Sequence, residues 1–142
     1  MLKMIGKKLK NQRGLTLVEL LAVVVILGII AAIAVPSIGG IIQKSKEDAV
    51  KAEAVQVLNA AKLFSASTQV TASTTLTNTS TPNLNQYLDN PGTYSITIAP
   101  GTDGKITYSN VNVDKKGIKF IFSTEADVIS GSGTKGTATT TP

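Results

Sequence analysis

The chain has 142 residues, with 14 Lys+Arg against 9 Asp+Glu, and it contains no Cys, His or Trp. That length suits a single domain. The missing residue types exclude a disulfide scaffold, thiolate or imidazole zinc sites, a cysteine nucleophile and a Ser-His-Asp triad. No nucleophile is paired with a base and no nucleotide-binding loop is present, so the expectation is a protein that is not an enzyme and uses no cofactor or metal.

The basic excess is confined to one end. Lys3, Lys7, Lys8, Lys10 and Arg13 fall in residues 1–14 with no acid among them, and the rest of the chain is neutral. A basic pI would suggest nucleic-acid binding if the charge were spread over a domain; here it describes a short leader. Residues 15–35 follow, apolar except for Thr16 and Glu19. As a helix they extend about 32 Å, close to the ~30 Å hydrocarbon thickness of a bilayer. Being hydrophobic all round, such a helix has no face to offer water. Cations before the span and balanced charge after it (Lys44 and Lys46 against Glu47 and Asp48) put the N-terminus in the cytoplasm.

Pro36, Gly39 and Gly40 are expected to kink the helix near residues 36–40, since proline removes a backbone donor and glycine adds freedom. Beyond them, 41–67 has the period of an amphipathic helix, with Val50, Ala54, Val57, Leu58, Ala61 and Phe64 on one face. Residues 65–82 hold eleven Ser or Thr among eighteen and read as an exposed loop. A helical turn is expected in 83–90. Three alternating runs follow: Tyr94, Ile96 and Ile98; then Ile106 and Tyr108, slipping phase to Val111 and Val113 at a bulge near Asn110; then Ile118, Phe120 and Phe122. The turns fall at 100–104 and 114–117. The predicted fold is α+β: a long N-terminal helix whose C-terminal half packs on a small three-stranded antiparallel meander. Residues 41–129 would form the head and 130–142 a disordered tail.

Weaker signals are scattered over the head. Asp103 and Asp114 are carboxylates in turns, without the spacing of a calcium loop. Lys105, Lys115, Lys116 and Lys119 would make a small basic patch for DNA, although lysine on solvated strand edges is the commoner reason for such residues. Asn78-Thr79-Ser80 matches a glycosylation sequon. Ala32-Ile33-Ala34 resembles a signal-peptidase site, but the apolar run before it is long for a secretory signal and contains Glu19.

The junction Gly14-Leu15-Thr16-Leu17-Val18-Glu19, between a short basic leader and an apolar run, closely resembles the prepilin signature of type IV pilins and pseudopilins. The resemblance implies cleavage between Gly14 and Leu15 by a prepilin peptidase, which then N-methylates Leu15. It also implies roles for Thr16 and Glu19 in assembly, and for Gly28 and Pro36 in weakening the helix. The family usually opens its mature chain with Phe, where this one has Leu15. A carboxylate in an apolar span costs about 2.5–3.5 kcal/mol, so Glu19 needs a reason to be there. Cleavage supplies one, an ammonium four residues earlier on the same helix face, which stays charged after methylation. Glu19 would neutralise its own amine or, as the family suggests, that of a staggered neighbour.

The expected function is a structural subunit, a major pilin of an extracellular type IV pilus-like filament; the alternative is a pseudopilin of a type II secretion or competence DNA-uptake machine. The implied partners are copies of itself, the peptidase/N-methyltransferase, an assembly ATPase with its membrane platform protein, and minor pilins. The precursor would sit in the cell membrane as a single-pass protein and the assembled form outside the cell.

Overall fold

The computed structural model describes residues 16–137. Its first element, α1, is a single helix of 51 residues, Leu17–Ser67, with Pro36 inside it. The helix also passes through Gly28, Gly39 and Gly40. The chain divides into two compact units between Ile42 and Gln43. In the first unit, the described residues are apolar helix. In the second, the remainder of α1 carries a sheet.

The sheet has five antiparallel strands in sequential order: β1 (Thr74–Thr77), β2 (Thr93–Pro100), β3 (Ile106–Lys115), β4 (Ile118–Thr124) and β5 (Thr134–Gly136). Strict alternation in β2 buries Tyr94, Ile96 and Ile98 and turns Ser95 and Thr97 outward. The phase slip predicted for β3 is present. Ser95 pairs with Asn112 but Thr97 pairs with Ser109, so Asn110 and Val111 share the space opposite one residue. Asn110 has φ 51°, a left-handed conformation that asparagine tolerates well. Because of the bulge, Val111 and Val113 return to the inner face and are buried. Lys115 pairs with Ile118 across a two-residue turn in which Lys116 and Gly117 both have positive φ, 54° and 78°. That is the hairpin geometry whose twist matches the strands it joins.

The inner face of the sheet buries Phe120 and Phe122 of β4 beside these residues, against Val50, Ala54, Val57, Leu58, Ala61 and Phe64 of α1. All six predicted helix positions lie in the core. An α+β arrangement with the helix packed on a small antiparallel sheet is therefore present, like that of type IV pilins.

Two stretches differ from expectation. The Ser/Thr-rich segment contributes β1, because Leu76 alone gives that strand a fully buried anchor and Thr75 Oγ1 lies 3.1 Å from Thr97 Oγ1 on the outer face. The structured part also extends past residue 129. A short helix, α2 (Glu125–Ser130), is opened by Thr124 and Asp127 in a reciprocal capping box and closed by Gly131 at φ 70°. The chain then returns as β5 along β4, with Gly133 so close to the Phe122 ring that no larger residue would fit. The meander is thus five-stranded rather than three-stranded. The rest of the expected tail, 138–142, lies outside the described residues.

Candidate functional site

The apolar part of α1 presents its side chains to the surroundings. Leu17 is 82% exposed, and Val24, Ile26, Ile30 and Ile33 are exposed as well. From Leu17 to Ile42 the helix rises about 39 Å, enough to cross a bilayer with some tilt. Its most apolar stretch has no part buried inside the protein, so the core of a soluble domain does not account for it.

This helix begins at a polar lock. Thr16 is the N-cap and Glu19 the third helical residue. The Thr16 backbone N–H and hydroxyl each donate to Glu19 Oε2 at 2.8 Å, and the Glu19 N–H donates back to Thr16 Oγ1 at 3.2 Å. The first turn of a helix has N–H groups without intrahelical partners, and in an apolar medium each is costly. The box satisfies two of them. The structure thus gives Glu19 a task beside the predicted pairing with an amine, namely closing the helix start. The signal was present in the sequence as Thr-x-x-Glu, the pattern of a capping box. Gly14 and Leu15, the predicted cleavage and methylation positions, lie outside the described residues.

Gly28, Gly39 and Gly40 stand in open space: a Cβ added at any of them would meet nothing within 4 Å. Packing inside the chain therefore does not require glycine there. Pro36 lacks an N–H, so the carbonyl of Ala32 has no helical partner at that turn.

The remaining candidates are dispersed. Asp103 Oδ1 accepts the Lys105 N–H at 3.1 Å, which is turn chemistry. Asp114 is paired in register with Thr93 and Lys119. The four lysines read as one basic patch do not form one. Lys105 precedes β3 and Lys115 ends it, about 30 Å away at the usual strand rise, while Lys116 and Lys119 lie at the latter end. Asn78 of the sequon accepts a hydrogen bond at its backbone oxygen from Asn85 Nδ2, 3.1 Å away. Among the described residues, no group of three or more His, Cys, Asp or Glu could hold a metal.

Sequence reasoning missed an ion pair between a buried carboxylate and a half-buried lysine. Glu53, 7% exposed on the inner side of α1, accepts from Lys115 Nζ at 2.7 Å, and the same ammonium donates to the Asn90 carbonyl at 3.3 Å. The second oxygen, Oε1, is buried with no partner among the described residues. Removing Lys115 would leave a buried charge unpaired, at a cost of about 3 kcal/mol. The pair fastens the β3–β4 hairpin to the helix.

Comparison with protein-family models matches residues 9–35 to the prokaryotic N-terminal methylation motif. That stretch holds Gly14, Leu15, Thr16, Glu19 and Gly28, and it supports the prepilin-type motif of type IV pilins and pseudopilins. No curated protein and no solved structure matches the chain.

Proposed function

We propose that the chain is the major structural subunit of an extracellular type IV pilus-like filament, assembled from the membrane after removal of residues 1–14. One observation carries this reading: the methylation motif, residues 9–35, covers the start of an apolar helix whose most apolar stretch is not buried and which opens at the Thr16–Glu19 lock. The motif and the helix suit a membrane-anchored precursor, and the motif points to a structural subunit rather than an enzyme.

The mechanism follows from electrostatics and burial. Five cations in the leader resist crossing the bilayer and hold the uncut chain in place. Cleavage between Gly14 and Leu15 by the prepilin peptidase removes them and leaves one ammonium on Leu15, which methylation does not discharge. Glu19, four residues on, neutralises it or the corresponding amine of a neighbour displaced along the axis; with Thr16 it also closes the helix end. The rod then leaves lipid when other copies of itself offer an equivalent apolar surface. Gly28, Pro36, Gly39 and Gly40 let the helix bend or loosen as copies pack. Extraction needs a motor, supplied by an assembly ATPase acting through a membrane platform protein, with minor pilins starting the filament.

Electron microscopy of sheared surface material, with mass spectrometry of its N-terminus, tests the proposal. The expected result is long filaments of a chain beginning at N-methylated Leu15. Short periplasmic or wall-spanning assemblies with the same N-terminus would favour the pseudopilin alternative. A dispersed chain beginning at Val35 would reject both.

A further inference from the structure

The outer face of the sheet carries a groove of about 470 Å³. Two neighbouring rungs of the ladder build it. In one, Ser95 pairs with Asn112; in the other, Thr93 pairs with Asp114, and Asp114 with Lys119. Because Tyr94, Val113 and Phe120 turn inward and are buried, these alternate residues face outward. Asn78, in the turn after β1, lines the same groove. Asp114 and Lys119 are register partners of opposite charge, yet neither forms an ion pair among the described residues. Asn112 Nδ2 donates to Ser95 Oγ at 3.0 Å and to the Asn110 carbonyl at 3.1 Å. Both its amide protons are thus engaged, which leaves Asn112 Oδ1 to accept and the Ser95 hydroxyl proton to donate. Asn78 is held through its backbone oxygen, by Asn85 Nδ2, so its carboxamide keeps both functions. The groove therefore intersperses donors and acceptors, and its one carboxylate and one ammonium cancel in charge.

That set of groups selects among ligand classes. A phosphate would meet the Asp114 carboxylate beside Lys119, and a divalent cation would meet the ammonium beside a single acid. An apolar molecule would find the inward-turned Tyr94 and Val113 out of reach. An extended peptide needs main-chain partners, and β2 and β3 are already paired on both edges. A sugar fits: each hydroxyl both donates and accepts, and the ring carries no charge. The volume lies within the range of small-ligand sites, about 300–1,000 Å³. From β1 to β4 is about 14 Å at the usual strand spacing, room for two sugar rings. We propose that the groove binds a neutral saccharide. Asp114 and Asn112 Oδ1 accept from its hydroxyls, while Lys119, Asn78 and the Thr93 and Ser95 hydroxyls donate to its oxygens. The inference is independent of the filament reading, since a lone head would carry the same groove.

The test uses the full-length, isotope-labelled chain in micelles of a sugar-free detergent, lauryldimethylamine oxide. Lactose, maltose, cellobiose and chitobiose are titrated in turn, with glycine and inorganic phosphate for comparison, and amide NMR shifts are followed. At least one disaccharide is expected to give saturating shifts at Ser95, Asn112, Asp114 and Lys119 below about 100 mM. Asp114→Ala and Lys119→Gln should each weaken that binding about tenfold, the loss of one hydrogen bond to a charged group. Asp103→Asn, in the turn between β2 and β3, should leave it unchanged, and dispersed amide signals verify that every variant is folded. Absence of saturating shifts with all four disaccharides would overturn the proposal. So would saturation by glycine or phosphate in their place, which would assign the groove to a zwitterion or an anion. Sugar binding that survives unweakened in both groove variants would overturn it as well.

Discussion

Glu19 illustrates how a single side chain answers two demands. As a charge, it is expensive in an apolar run, and an ammonium four residues away offsets that cost. The structure shows the same carboxylate accepting two hydrogen bonds from Thr16. Two substitutions separate the roles. Glu19→Gln keeps an acceptor oxygen for Thr16 but has no charge, whereas Glu19→Ala loses both. If neutralisation drives assembly, both variants should insert and be processed normally, yet yield roughly tenfold fewer filaments, about the loss of 1.4 kcal/mol. Normal yield from Glu19→Gln alone would assign the residue to the cap. Tyr94 makes a second residue-scale case. Its hydroxyl accepts the buried Leu84 N–H at 2.9 Å and donates to Asn85 Oδ1 at 2.8 Å. Burial pushes the Tyr94 hydroxyl above its ordinary titration range, against the opposing effect of the Leu84 bond. Tyr94→Phe leaves that N–H without a partner, and thermal unfolding of the detergent-solubilised chain should show a loss of about 1–3 kcal/mol.

Among the elements, those with repeated apolar periodicity could be read from sequence alone. The buried face of α1 follows the helical period, and β2, β3 and β4 follow alternation, including the slip at Asn110. β1 and β5 could not be read that way. An edge strand needs only one buried side chain, or none: Leu76 serves β1, and β5 has no large apolar residue. Their reasons are tertiary, in the pairing offered by β2 and β4 and in the space at Gly133 beside Phe122. The Glu53–Lys115 pair was hidden for the same cause, its members being distant in the chain. β5 is also tied to α1, through Lys135 and Glu47. The hydrogen bond from Lys135, and then that from Gln43, hold the Glu47 carboxyl below its ordinary value of 4.5. A depressed carboxylate stabilises the fold above its unfolded value and ceases to do so as pH falls through the lower folded one. Acidification below about 4.5 should therefore loosen β5 first. Amide NMR signals of Thr134–Gly136 should move in that range, and a Glu47→Gln variant should lack the transition.

At the scale of the whole molecule, every buried apolar side chain among the described residues lies at residue 50 or beyond. Residues 43–142 expressed alone should consequently fold as a water-soluble monomer. Strand content by circular dichroism and dispersed NMR signals from Val111, Val113 and Phe122 would verify it; a molten or aggregated product would contradict it. The apolar helix supplies none of that interior, and its own interior is yet to be found among lipids or neighbours. On the proposed reading, exchanging lipid for neighbouring copies would disturb no contact inside the head, so the head would keep its fold through the passage from bilayer to fibre.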